Sequence, residues 1–288
     1  MIVGFLVGNM ANPVLAEMFE ATTGVLSSQG YATILVCSQN DPQQDAFYLR
    51  FLADRQVDGL LVSSAANGPD QASPIITELG IPTVMLDRDL PSGRHVSAVQ
   101  SDHMSGMRAA ISHLHQMGHR RIAYVGGPEY VRVFRERWRA FEAGMRDAGS
   151  PAEPEFVRCV PLYADEGERA AHELMSEEDP PTAIIAGGNV LVTGVLRALR
   201  ARRVAVGRDL ALIGADDIES TRLVSPAVTV IGRDMSLLGR TAARLLLDMI
   251  GGEAGRQVVS LPTWLVVRES SLCPPPARPL GWSPLSAQ

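Results

Sequence analysis

At 288 residues, with 46% hydrophobic and 20% charged positions, the chain is long enough to fill two cores and too apolar to be disordered. Its 26 basic and 32 acidic residues give a formal net charge of −6, and no lysine–arginine block forms the footprint of a nucleic-acid surface. No apolar run reaches the ~18 residues of a membrane span, and three cysteines without C-x-x-C spacing call for no disulfide, which places the chain in a reducing cytoplasm.

The opening "MIVGFLVGNM" lacks a basic region and a cleavage site, so it reads as a first strand and not as a signal peptide. "ATILVC" follows as a second strand, with Cys37 as a small core residue. "DPQQDAFYLRFLADR" has helical periodicity, with Asp41 placed to cap it and Pro42 at its first position. "DGLLVSS", "PTVMLD" and "VSAVQS" are the next three strands. His113 and His115 fall on different faces of a helix that Gly118 ends before His119, so the three read as a solvated helix end and not as a metal site. Beyond "GHRR" come "RIAYVGG", "FVRCV", "TAIIAGG", "LALIGA", "AVTVI" and "TWLVV".

Most of these runs are continuously apolar, as parallel strands covered on both faces must be. In Asp234–Gly251 the apolar residues Met235, Leu238, Ala242, Leu245, Leu246, Met249 and Ile250 share one helical face, and Gly251-Gly252 stops the helix. Alternation of strand and helix predicts an α/β fold. Eleven strands exceed one comfortable sheet, so the expectation is two doubly wound parallel-sheet lobes with a ligand cleft between them. Residues 273–288, rich in proline, read as a disordered tail.

Catalytic signatures are missing: no G-x-S-x-G, H-E-x-x-H, Walker loop or G-x-G-x-x-G occurs. The reading is therefore binding and not turnover, with no cofactor. In open parallel sheets ligands sit beyond the carboxyl ends of the strands. The residues there include Asn9, Asn12, Ser63-Ser64, Asp87-Arg88, Ser101-Asp102, Gly187-Gly188-Asn189, Asp216-Asp217 and Arg233. Such carboxylates, amides and guanidinium groups match the hydroxyls of a polyol or a carboxylate. Asp217 is placed to cap the helical segment "IESTRL".

The ordered series "GHRRIAYVGGP", "TAIIAGGNVLVTGVLRALR", "GRDLALIGADDIES", "SPAVTVIGRDMSLLGRTAARLLLDMI" and "LPTWLVVRESS", with the opening from Val3 to Val62, resembles the effector-binding core of lac-repressor-type (LacI family) transcription regulators. The resemblance spans Ile2 to Ser271. It implies a periplasmic-binding-protein-like type I fold of two lobes joined by three crossovers near Met117–His119, Val230–Arg233 and Val258–Leu261. Residues 1–117 plus 232–258 would form the N-terminal lobe, and 118–231 plus 259–272 the C-terminal lobe. Effector contacts carry over to Asp102, Arg137, Asn189, Asp216 and Arg233, with Tyr163 as an aromatic wall. After Asn12-Pro13, the family's usual aromatic pair is replaced by Val14-Leu15. Arg233 stands where glutamine is common and raises two alternatives: an acidic effector, or an ion pair with Asp234, Asp216 or Asp102. The resemblance further implies a homodimer and a sugar or sugar-derivative effector. DNA would be bound only through a helix-turn-helix headpiece that precedes the core in the family, whereas Met1 here opens on the first core strand. An extracytoplasmic solute-binding protein of a sugar transporter shares the fold and is the alternative.

Overall fold

The computed structural model describes residues 1–64 and 72–276. In chain order the elements are β1 (Ile2–Val7), α1 (Pro13–Ser28), β2 (Ala32–Cys37), α2 (Pro42–Asp54), β3 (Gly59–Ser63), α3 (Ala72–Leu79), β4 (Thr83–Leu86) and β5 (Val96–Asp102). Then come α4 (His103–Gln116), β6 (Ile122–Gly126), α5 (Arg132–Asp147), β7 (Val157–Cys159), α6 (Ala164–Leu174), β8 (Ala183–Ala186) and α7 (Asn189–Ala201). The chain ends with β9 (Ala211–Ala215), α8 (Glu219–Leu223), β10 (Thr229–Gly232), α9 (Met235–Ile250), β11 (Val258–Pro262) and β12 (Trp264–Val266). Two compact units result. The first holds Met1–Asp102, Tyr130–Val133 and Asp234–Leu261; the second holds His103–Glu129, Phe134–Arg233 and Pro262 onward.

In the first unit the strands run in the order β11-β5-β4-β3-β1-β2, and the pairs from β2 to β5 are parallel. Leu6, Leu49, Leu52, Leu60 and Ile76 are fully or almost fully buried in its core. Asn12 caps α1 through its side chain, which accepts from the Val14 amide at 3.3 Å. Val14, Met18, Thr22 and Leu26 recur every four residues and form the buried face of that helix. On α9, a Cβ at Gly239 would stand 2.4 Å from the Met18 carbonyl oxygen, so only glycine lets α9 approach α1 this closely. The expected cap of α2 is present, Asp41 accepting from Gln43 at 2.8 Å, and α9 is capped in the same way by Asp234, which accepts from Leu237 at 2.6 Å.

The second unit orders its strands β12-β10-β9-β8-β6-β7, all parallel except the antiparallel β12. Successive residues face opposite layers. Ile122 and Tyr124 of β6 pack with Met107, Ile111, Phe141 and Met145 of α4 and α5, whereas Ala123 and Val125 pack with Leu174, Leu191 and Val195 of α6 and α7. Coverage on both faces explains the unbroken apolar runs.

The chain departs from the expected plan at four places. It passes from the first unit to the second at Asp102–His103, before α4 and not after it. The apolar face of α4 (Met107, Ala110, Ile111, Leu114) belongs to the core beneath Ile122 and Tyr124, which ties the helix to the second sheet. A twelfth strand, β11, sits beside β5. His119 is no solvated end: it is fully buried, bonded to Thr182 Oγ1 and to the Cys273 carbonyl, each at 2.9 Å. His113 likewise meets Ser271 Oγ at 2.8 Å. The start of the presumed tail is therefore part of the fold, with Cys273 at 6% exposure in the core; residues 277–288 lie outside the described residues. Among the described residues, no helix is long and apolar enough to cross a membrane.

Candidate functional site

Parallel pairing of β6, β8, β9 and β10 brings their carboxyl ends to one edge of the second sheet. Gly187 follows β8, Asp216 follows the adjacent β9, and Arg233 follows β10 on the other side. The turn after β9 holds Asp216 at φ +68°, a left-handed conformation that aspartate tolerates better than bulkier residues. Its amide donates to the Ile231 carbonyl at 3.1 Å, which fixes the turn against β10.

Two guanidinium groups converge on the Asp216 carboxylate. Arg233 Nε donates to Oδ1 at 2.7 Å, and Arg137 Nη2 donates to the same oxygen at 3.1 Å. Arg137 arrives from α5 and is itself held by the Gly187 carbonyl at 2.7 Å and by His103 Nδ1 at 3.4 Å. Asp216 and Arg137 are each only 3% exposed. Burial alone would raise the Asp216 pKa. The charges of Arg233 and then Arg137, with the hydrogen bonds from each, more than reverse this and hold the carboxyl well below the usual range. The group is an ionised acceptor at neutral pH, and among the described residues no donor reaches its Oδ2.

Asn189 opens α7 two residues beyond Gly187 and is 4% exposed, so it stands at this same edge. Tyr163 precedes α6, past the carboxyl end of β7, and is 61% exposed. Arg137, Asn189, Asp216 and Arg233 thus gather on one edge of one sheet. Of the two alternatives for Arg233, the ion pair with Asp216 is present.

Asp217 does different work from the cap assigned to it. The N-cap position of α8 is Ile218, without a side-chain bond. Asp217 instead accepts from Arg222 Nε at 3.0 Å and from Arg268 Nη2 at 2.7 Å, tying α8 to the segment after β12. Sequence reasoning also passed over His103, which orients Arg137 from the first position of α4; its one visible signal was its place next to Asp102.

In the first unit, Asp102 ends β5 and is half-buried, Asn12 is committed to its cap, Val14 is buried and Leu15 half-buried. Other polar residues at the strand ends find partners within this unit. Asp87, at φ +53°, accepts from the Ser101 amide at 2.6 Å and the Ser101 hydroxyl at 2.9 Å, with Arg132 at 3.8 Å. Arg88 donates to the Ser63 carbonyl at 2.7 Å and to that of Ser64. Ser64 donates to Asp45 at 2.8 Å and meets Ser38 at 3.1 Å. None of Asp45, Ser38 or Arg132 was singled out from the sequence.

Residues 111–271 match the model of a periplasmic binding protein-like domain. The chain is similar to the HTH-type transcriptional repressor PurR of Yersinia pestis (strain Pestoides F), 29% identical over 93% of this chain and 79% of that protein. Among solved structures it resembles the transcriptional regulator CelR in complex with cellobiose, with 30% identity, a TM-score of 0.86, and coverage of 93% and 84% of the two chains. It also resembles a LacI family transcriptional regulator from Enterococcus faecium with bound ribose, at 27% identity and a TM-score of 0.83, covering 96% of this chain and 100% of the other.

Proposed function

We propose, on the premise that this chain belongs to the periplasmic binding protein-like domain family and is the effector-binding core of a LacI-type transcriptional regulator, that its effector is an uncharged sugar or related polyol held by Asp216. The observation that carries this reading is the Asp216 carboxylate: buried, ionised, bonded to two arginines through Oδ1, and open to a hydroxyl at Oδ2. A carboxylate accepting from a sugar hydroxyl makes a charge-assisted bond, stronger than a neutral one. Asn189 adds an amide that both donates and accepts, and Tyr163 an exposed ring. Asn12 and Asp102, with Val14 and Leu15 as an apolar wall, are the contacts we assign to the first unit.

Arg233 shares its charge with Asp216, which weighs against a sugar acid. The bound cellobiose and ribose of the two related structures point the same way. Isothermal calorimetry with ribose, cellobiose and galacturonate tests this: a neutral sugar is expected to bind at least tenfold more tightly than galacturonate, and the reverse order overturns the reading. The repressor relatives favour a cytoplasmic regulator over the transporter alternative. Effector binding would shift the core between conformations and so alter DNA affinity, for which a coupling of about 1–3 kcal/mol suffices.

The regulator acts as a homodimer in this reading. Leu35 on the edge strand β2 and Phe47 on α2 are 37% and 59% exposed in the first unit, and Leu223 on α8 is 76% exposed in the second. Apolar side chains left this open are what an oligomer interface covers.

A further inference from the structure

Each nitrogen of the Arg137 guanidinium meets a different residue. Nη2 donates to Asp216 Oδ1 at 3.1 Å, Nη1 to the Gly187 carbonyl at 2.7 Å, and Nε to His103 Nδ1 at 3.4 Å. His103 and Arg137 are both 3% exposed. The imidazole stands on a fixed base, because the first turn of α4 is tied to Thr263, between β11 and β12. Ser105 Oγ donates to the Thr263 carbonyl and the Gly106 amide to Thr263 Oγ1, each at 3.0 Å. Gly106 has no room to shift: a Cβ there would stand 2.6 Å from both Thr263 Oγ1 and Ile231 Cγ2.

The bond to Arg137 fixes the state of the ring. A guanidinium has donors and no acceptor, so His103 Nδ1 must offer its lone pair and the ring proton must sit on Nε2. The imidazole is therefore neutral. Protonation would set a third positive charge beside Arg137 and Arg233, at the start of α4, where the aligned peptide dipoles also disfavour a cation.

The geometry around Asp216 gives a fixed Nε its purpose. Arginine facing a carboxylate commonly pairs with both oxygens at once, as a fork. An Arg137 free to turn would take Oδ1 and Oδ2 of Asp216 together and close the oxygen that is open to a hydroxyl. We propose that His103 is a positioning residue of the effector site, whose neutral imidazole holds Arg137 to one oxygen of Asp216 and so keeps Oδ2 for the effector. The proposal rests on Asp216 as the effector's acceptor. His103 acts through Arg137 and does not itself touch the effector.

Two substitutions separate this role from packing. In His103→Asn the amide oxygen takes the place of Nδ1 and still accepts from Arg137; in His103→Leu the bulk is kept and the acceptor is gone. Ribose and cellobiose, titrated calorimetrically into the full chain, should bind His103→Asn within about threefold of the wild type, because the acceptor is retained. His103→Leu should bind them about tenfold more weakly, the scale of one lost hydrogen bond to a charged group, and should melt no lower than His103→Asn. ¹⁵N NMR of the free chain near neutral pH should show the His103 proton on Nε2. It should also show an Arg137 Nε–H resonance that His103→Asn retains and His103→Leu displaces. A proton on Nδ1, an unmoved Arg137 resonance or undiminished sugar affinity in His103→Leu, or equal losses in both variants would each overturn the proposal. If neither sugar binds the wild type, the effector reading of Asp216 fails, and the NMR measurements still decide whether His103 sets Arg137.

Discussion

Asp216 and Asp217 are adjacent in sequence and have opposite assignments in the structure. One is enclosed by Arg137 and Arg233 at the sheet edge; the other is gripped by Arg222 and Arg268 on the way to the C-terminal segment. Asp216→Asn withdraws the negative charge that both guanidinium groups share. It should lose at least tenfold in ribose affinity by calorimetry, and it should also lower stability in urea denaturation by up to about 3–5 kcal/mol, the cost of breaking a buried pair. The pH dependence has a definite sign. Because the folded pKa is depressed below the ordinary 3.8, the stability that Asp216 contributes is complete above that pH and is lost as acid titrates the folded carboxyl, a loss absent from Asp216→Asn. Only part of this was legible in the sequence. A paired aspartate after an apolar strand marks the strand end, but the partners of Asp217 lie 5 and 51 residues away, and local spacing favoured a cap that the backbone does not use.

At the scale of elements, α9 shows what local chemistry can specify. A polar cap, a face of recurring apolar residues and a terminating glycine pair are all visible in one stretch, and the helix runs where they place it. Asp234→Ala, which deletes the acceptor for the Leu237 amide, should cost about 1 kcal/mol, a fall of roughly 2–4 °C in melting temperature; Asp234→Ser should recover most of it. β11 was hidden for the converse reason. Its residues alternate between exposed and half-buried, so no apolar run marks it, and it is a strand because it lies beside β5. The same holds for the end of α4, where His119 is locked by Thr182 and Cys273, 63 and 154 residues further on. Burial, reinforced by the charges of His113, Arg120 and His115 and opposed by the bond to the Cys273 carbonyl, lowers the His119 pKa below 6.5. Below that pH the unfolded chain takes up a proton that the folded chain refuses, so stability should decline on acidification. His119→Gln, which keeps a donor toward Cys273, should flatten the dependence of melting temperature on pH.

At the scale of the whole molecule, composition and alternation were enough to predict two parallel-sheet units, because strands buried on both faces must be continuously apolar. They could not fix where α4 belongs, which depends on which sheet its Met107–Leu114 face covers. Association belongs to this scale as well. Phe47→Glu and Leu223→Glu together should convert a dimer to a monomer in sedimentation velocity, while either substitution, being on an exposed position, should leave the melting profile of the monomer unchanged.

The division of the chain carries a consequence for synthesis on the ribosome. The first unit receives its last stretch, Asp234–Leu261, only after nearly all of the second has been made. Until α9 emerges, the side of α1 around Met18 that Gly239 will touch has no cover, and β5 has no β11 beside it. A chain that ends at Arg233 should therefore present a half-dressed first unit, prone to chaperone capture and protease attack, and a second unit that still lacks β12 and the segment of Arg268, Ser271 and Cys273 that ties down Asp217, His113 and His119.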